Sequence, residues 1–231
     1  MFDRKAFKAA ALHSLRGKWK TSLLVSVLGL AIQGIATLPF TRIYFGEASY
    51  HHSFHLDLTS LLFLLPLAIT GVSTIGQTFF FTRLARDKDS TSFSTFIDGL
   101  NLWLRGALAS LWTTLWCFLW SLLFVIPGIV KLYAYSQIYF ILSEHPNLTV
   151  RKAMQLSKHI TRGYKGELFI LDLSFLGWII LCYLTGGLGF IALLPYMTET
   201  KVQAYRFLKS QAVTIGILKK EDFDPDSTHN F

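Results

Sequence analysis

Four polar side chains lie within otherwise apolar stretches and are the strongest candidates for a polar site: Lys131, Tyr135, Asp172 and Glu199. Lys131 is the only charged residue between Arg105 and Glu144, and Tyr135 follows it by about one helical turn. An ammonium group beside a phenolic oxygen would form a cationic spot suited to an anionic headgroup or solute. A long lysine side chain can equally extend its ammonium to the membrane interface. Both interpretations of Lys131 stay open at this stage.

Asp172 and Glu199 have the shorter side chains and are harder to place. Asp172 follows Glu167 by five residues, inside an apolar run, and a carboxylate cannot extend to the interface as lysine does. It would either reach interfacial water, bond a neighbouring helix, or serve a functional site. Together with Lys131, the two acids would mark the pathway of a small transporter, if the chain is one.

Sets of residues that perform catalysis or bind metals are scarce. There is no HExxH and no CxxC motif, and both cysteines lie in apolar runs. The one cluster with metal-like spacing is His51, His52 and His55, which also fits an exposed loop. We therefore expect no enzyme and no cofactor, with these histidines as a weak metal candidate.

The composition indicates a membrane protein. Hydrophobic residues make up 52% of the chain, and the mean hydropathy is +0.43. About 20 apolar residues are needed to cross a bilayer as helix. The sequence predicts six spans, at 22–44, 58–84, 102–126, 129–143, 168–184 and 188–207. The fourth and fifth are short, so each either crosses the membrane fully or is re-entrant.

The distribution of positive charge predicts the topology. The net charge is +8, yet the basic residues flank the apolar runs instead of forming one patch, so nucleic acid is not an expected partner. Of the 22 Lys and Arg residues, only Arg42 and Lys131 lie on the far side if the other segments are cytoplasmic. Both termini are then cytoplasmic. The spans pair as hairpins, two of which turn at Pro127-Gly128 and at Gly186-Gly187.

An Arg-Gly pair precedes each predicted hairpin. Each pair ends a moderately polar stretch of helical character, at 2–15, 92–104 and 149–160. We interpret each unit as an interfacial amphipathic helix, a basic residue at the headgroups, and a glycine that lets the chain bend into the bilayer. The pairs are Arg16-Gly17, Arg105-Gly106 and Arg162-Gly163.

The predicted fold class is therefore all-α. Three hairpins, each preceded by an interfacial amphipathic helix, form a polytopic membrane bundle of about six transmembrane helices. Residues 1–210 would form one integral-membrane domain, and 211–231 a short, partly disordered cytoplasmic tail, because its end is acidic and contains proline.

Several of these residues also carry a resemblance to a known family. The marks are Pro127, Gly128, Ile129, Lys131 and Tyr135, then Ser157 and Gly163, then "LSFLGW" at 173–178 and "LPY" at 194–196. From about residue 83 to 207, the chain resembles the bacterial integral-membrane family called domain of unknown function 975. The resemblance implies a bacterial cytoplasmic membrane and a recurrent motif around Lys131 and Tyr135, but no activity. Related domains fused to glycerophosphodiester phosphodiesterases suggest, by analogy, work beside lipid metabolism.

Three functions follow as hypotheses. We favour a non-enzymatic membrane protein that organises or regulates a membrane or lipid-related process. The alternative is a small transporter or channel for an anionic solute or lipid, and a lipid-active enzyme rests on the fusion analogy alone. The expected partners are membrane lipids, together with either a second copy of the chain or another membrane protein.

Overall fold

The computed structural model describes residues 2–45, 64–123 and 125–223. Within these ranges the protein is helical and contains no strand. The all-α prediction is confirmed. The helices are α1 (Arg4–Leu15), α2 (Trp19–Phe45), α3 (Leu64–Arg86), α4 (Phe93–Leu100), α5 (Trp103–Leu123), α6 (Val125–Tyr135), α7 (Ile138–Glu144), α8 (Val150–Ile160), α9 (Lys165–Leu173), α10 (Leu176–Leu184) and α11 (Gly189–Thr214), followed by a 3-10 helix (Lys220–Phe223).

Three helical segments in the described part of the chain are long and apolar enough to cross a membrane: Trp19–Leu38, Leu64–Arg86 and Lys165–Leu184, which joins α9 and α10. A fourth is α4 with α5, if this pair, bent by 66°, counts as one span. The predicted number of six is not confirmed. The predicted span 129–143 is broken between α6 and α7, and α11 carries the charged residues Glu199, Lys201 and Arg206.

Large apolar side chains lie exposed along whole helix faces. In water, a surface of this extent would drive association, whereas in hydrocarbon it needs no cover. The fold is thus compatible with a membrane protein. These side chains are concentrated on α5 (Leu108, Trp112, Leu115, Phe118, Leu119, Leu122) and on α9 and α10 (Phe169, Ile170, Leu173, Leu176, Trp178, Ile180, Leu181, Leu184).

Two of the three Arg-Gly pairs form the same corner between helices. Gly17 and Gly163 both have φ of +85°, the left-handed conformation that a residue with a Cβ rarely adopts. Arg16 follows the end of α1 and Arg162 the end of α8, so each corner joins a polar helix to an apolar one. The bending role predicted for glycine fits these two positions.

The third pair does not form a corner. Arg105 and Gly106 lie inside α5, and the chain bends before them, between Leu100 and Trp103. Gly106 instead packs against α3, because a Cβ placed on it would lie 2.7 Å from the Gly71 carbonyl oxygen. The glycines of the three Arg-Gly pairs therefore have two different roles. Gly17 and Gly163 form turns, whereas Gly106 allows close contact between two helices.

Of the two predicted hairpin turns, one lies where expected and the other is shifted. Gly186 and Gly187 have φ of +67° and +90° between α10 and α11. Pro127 and Gly128 lie within the first turn of α6, where proline is tolerated because its missing N–H would be unpaired anyway. Gly128 lets α6 approach α5, since a Cβ there would lie 2.2 Å from Ser121 Oγ.

The polar segments meet at one end of the bundle. Contacts between the three Arg-Gly units show this arrangement. The Lys18 ammonium donates a hydrogen bond to the Thr91 carbonyl at 3.0 Å, and the Arg105 guanidinium donates one to the Leu148 carbonyl. The Phe2 ring also stacks on the Tyr164 ring, with 6.1 Å between their centroids. The chain beyond residue 210 joins the same end, because α11 continues to Thr214 and Phe223 is buried.

The contact between Gly71 and Gly106 gives a direct test of the packing. Gly106→Ala should lower the melting temperature of the detergent-solubilised protein, because the new methyl group overlaps the α3 backbone, and overpacking of this kind costs about 1–3 kcal/mol. The matched control is Gly34→Ala in α2, where a Cβ meets nothing within 4 Å. Equal melting temperatures for the two variants would contradict the close contact of α3 and α5.

Candidate functional site

Lys131 lies on α6 against aromatic rings of α5 and of its own helix. Its ammonium nitrogen is 4.3 Å from the centroid of the Trp120 ring and 6.0 Å from that of Tyr135. Both distances fall within the range of cation–π attraction, which is strongest for tryptophan. Lys131 therefore contacts the faces of two rings, whereas the sequence predicted a hydrogen bond to the Tyr135 hydroxyl.

The Lys131 ammonium borders a cavity of about 510 Å³ between α5, α6 and α8. We call this cavity the tryptophan groove. Three tryptophans, spaced four residues apart on α5, form its apolar wall, and the rings of Trp112 and Trp116 meet edge to face at 6.2 Å. The groove is lined by Trp112, Trp116, Trp120, Lys131, Tyr135, Arg151, Met154, Gln155 and Lys158.

The charges around the groove are all positive. Arg151 and Lys158, two turns apart on α8, join Lys131, and the lining contains no carboxylate among the residues that the structure describes. Helix α8 presents these cations because its opposite face, with Ala153, Leu156 and Ile160, is buried. The groove thus combines an apolar wall with a cationic rim.

The spacing of three tryptophans in the sequence indicates the groove, but a search limited to titratable residues does not find it. Trp112, Trp116 and Trp120 recur at a spacing that stacks side chains on one side of a helix. Aromatic residues in a span are, however, usually unremarkable lipid contacts. Only the position of α8 shows that Arg151 and Lys158 face these rings.

Asp172 lies apart from the groove and has partners of its own. Its carboxylate pairs with the Lys201 ammonium at 3.0 Å and accepts a hydrogen bond from the Tyr133 hydroxyl at 3.2 Å. These contacts tie α9 to α11 and α6. A cavity of about 80 Å³ adjoins them, with the amide of Gln137 in its lining. The sequence left three interpretations of Asp172 open, and these contacts correspond to the one in which it bonds to neighbouring helices.

Glu199 occupies a third place, between α11 and α1. Its side chain is fully buried, and its Oε1 accepts a hydrogen bond from the Gln203 amide at 2.9 Å. The same amide donates to Ser14 Oγ at 3.3 Å. Glu199 Oε2 has no hydrogen-bond partner in the described part of the chain. The acid therefore belongs to the seam that holds the first helix against the last.

The four predicted polar residues thus divide among three locations. Lys131 and Tyr135 share the tryptophan groove, while Asp172 and Glu199 lie elsewhere, so they form no single polar file. The candidate metal residues His51, His52 and His55 lie outside the described residues. Within the described ranges, no group of three His, Cys, Asp or Glu residues could hold a metal ion.

The ion pair of Asp172 and Lys201 can be tested by a double-mutant cycle. Asp172→Asn should destabilise the protein because it leaves the Lys201 ammonium without its carboxylate, and Lys201→Met should recover part of that loss. Since both side chains are partly exposed, we expect a coupling free energy on the order of 1 kcal/mol. Glu167→Gln, at the first turn of α9, is the control. Additive changes in melting temperature would argue against the pair.

Comparison with known proteins adds a family and nothing more specific. No curated protein and no solved structure matches the chain. Residues 125–212 match the model of a family described as "Protein of unknown function (DUF975)". The match covers α6 to α10 and most of α11, including Lys131, Tyr135, Arg151 and Lys158, whereas the three groove tryptophans precede it. The predicted resemblance is confirmed over residues 125–212, which are similar to this family.

Proposed function

We propose that the protein is an integral protein of the bacterial cell membrane with six spans, arranged as three hairpins, and with both termini in the cytoplasm. The distribution of Lys and Arg supports this topology, because all but Arg42 and Lys131 belong to segments that would be cytoplasmic. The convergence of these segments at one end of the bundle supports it independently.

We propose further that the protein binds anionic phospholipid in the tryptophan groove and acts, without catalysis, in the organisation of the membrane. The observation that carries this proposal is the lining of the groove: three tryptophans, three cations and no carboxylate. A cavity of about 510 Å³ falls within the size range of ligand sites.

The chemistry of an anionic phospholipid matches both parts of the groove. Its phosphate would lie near Arg151 and Lys158 at the cytoplasmic surface, since ammonium and guanidinium groups donate strong hydrogen bonds to phosphate oxygens. Because Lys131 borders the same groove from within its span, its ammonium would reach this phosphate and not the outer surface. Its acyl chains would lie along the tryptophan rings, which favour the boundary between headgroup and hydrocarbon. Because the tryptophan wall is exposed, a lipid could enter sideways from the bilayer.

The alternative role as a small transporter or channel has less support. It would use Asp172 and the adjoining cavity of about 80 Å³. This cavity is much smaller than the tryptophan groove of about 510 Å³, and the Asp172 carboxylate is already paired with the Lys201 ammonium. The groove offers more room and unpaired positive charge.

Reporter fusions test the topology. A fusion at Phe231 should report the cytoplasm and an insertion at Ser49 the opposite compartment, because Ser49 lies between the first two proposed spans. Two reporters of opposite compartment preference, such as alkaline phosphatase and green fluorescent protein, would measure this. Finding both positions in one compartment would exclude the proposed hairpins.

Lipid binding tests the groove. Lys131→Met keeps the side-chain length and removes the charge, so retention of phosphatidylglycerol by the purified protein should fall by about tenfold, the effect of losing one charge-assisted contact. Native mass spectrometry would count bound lipid, with phosphatidylcholine as the neutral comparison.

Two further variants make this result specific. Lys5→Met removes an exposed lysine of α1 that does not line the groove and should leave lipid retention unchanged. Trp116→Leu should weaken retention of both lipids, because it removes part of the apolar wall. Unchanged phosphatidylglycerol binding in Lys131→Met, with a folded protein, would refute the proposed role of the groove.

A further inference from the structure

A second cavity of about 320 Å³ lies at the polar end of the bundle, where α3, α7 and α11 meet. We call it the basic cavity. It shares no residue with the tryptophan groove, and each side chain in its lining is polar or charged. These residues are Thr82, Arg86, Glu144, His145, Arg206 and Lys209.

Positive charge exceeds negative charge in this lining. Glu144 is the single acid among the described lining residues, and its Oε2 accepts hydrogen bonds from the Lys209 ammonium at 2.5 Å and from the Tyr205 hydroxyl at 2.8 Å. Among the described residues, neither Arg86 nor Arg206 forms an ion pair. The described part of the chain therefore supplies no counter-ion to either guanidinium group.

The donors of the two arginines are only partly used by the fold. Arg206 donates through Nη1 to the Ala85 carbonyl at 2.7 Å, which fixes its position at the end of α3. Arg86 makes no hydrogen bond to the described residues. Guanidinium groups with free N–H donors suit a phosphate group, because the donors match the geometry of its oxygens and the positive charge matches its negative charge.

His145 does not add a permanent charge to the cavity. Burial and the adjacent Lys209 ammonium lower the pKa of His145, while Glu144 raises it. The neutral imidazole therefore predominates at neutral pH. The electrostatic attraction for an anion rests on the two arginines and on Lys209.

An outer cavity of about 540 Å³ adjoins the basic cavity and shares Glu144, His145, Arg206 and Lys209 with it. Its remaining wall includes Val213 and Phe223. The Phe223 ring lies 5.2 Å from the His145 ring, measured between centroids. The Lys209 ammonium is 4.6 Å from the centroid of the Phe223 ring. The 3-10 helix thus supplies an apolar, aromatic surface next to the arginines.

We propose that the basic cavity binds a phosphate ester, with the phosphate group between Arg86 and Arg206 and the organic part toward Val213 and Phe223. This site is separate from the lipid groove. The phosphate can belong to a soluble compound or to a phospholipid headgroup, because the recognising chemistry is the same.

The test uses the full-length protein in nanodiscs of phosphatidylcholine. Calorimetric titration with inorganic phosphate and with phenyl phosphate measures soluble ligands, and phenyl phosphate should bind more tightly because its ring can reach Phe223. Native mass spectrometry after addition of phosphatidylglycerol measures a headgroup source. The Lys131→Met background weakens the tryptophan groove, and Arg86 does not line that groove, so a loss of binding in an Arg86 variant reports the basic cavity separately.

Arg86→Gln should weaken binding by about tenfold or more, as expected for the loss of a charge-assisted, bidentate contact. Arg83→Gln is the matched control, because Arg83 lies on the same helix, contacts the Phe79 ring and does not line the cavity. Arg86→Lys keeps the charge and should bind with intermediate affinity.

Each result decides the proposal. Binding of either soluble phosphate that depends on Arg86 supports it with a soluble ligand, and Arg86-dependent binding of phosphatidylglycerol alone supports it with a headgroup. Absence of binding by all three probes would overturn it. Equal weakening by Arg83→Gln and Arg86→Gln would also overturn it, because the effect would then be one of general surface charge.

Discussion

Helices α3 and α5 touch backbone to backbone at Gly71 and Gly106, and the positions of the other helices depend on this contact. In hydrocarbon there is little hydrophobic force between helices, so association relies on close van der Waals packing and hydrogen bonds. Ser110, one turn beyond Gly106, adds a hydrogen bond to the Leu67 carbonyl. Helix α3 also contacts α2, α4, α7 and α11 and is the central helix of the described bundle. With one face of α5 held against α3, Trp112 and Trp116 remain exposed on another face.

Charged groups within the fold follow a consistent rule. Asp172 meets Lys201, and Glu144 meets Lys209, so each of these acids is balanced by a cation from α11. The basic residues outnumber the acids, however, and six of them line the two cavities: Lys131, Arg151 and Lys158 in the tryptophan groove, and Arg86, Arg206 and Lys209 in the basic cavity. Of these six, only Lys209 forms an ion pair within the described residues, which is the basis for proposing an anionic ligand in each cavity.

The fold class could be predicted from the sequence because helix formation and membrane solubility depend on local composition. Gly17, Gly163, Gly186 and Gly187 could likewise be assigned to turns, since each lies between a polar and an apolar helix or between two apolar ones. Gly106 could not, because its neighbour Gly71 is distant in sequence and only the packed structure brings them together. The same reason explains the candidate site. Lys131 stands out in its own segment, whereas its contacts with Trp120 and its proximity to Arg151 depend on three separate helices.

The seam between α1 and α11 has a consequence for biosynthesis. The Gln203 side chain bonds Ser14 across 189 residues of sequence, and Phe7 meets Phe207 in the same seam. During translation, the first helix leaves the ribosome long before its partner exists, so its apolar face, including Ala11 and Leu15, stays uncovered until the last hairpin has been inserted. The lipid surface can shelter that face in the interval, as it does for other amphipathic helices. The contact between α1 and α11 can therefore form only after most of the chain has been synthesised.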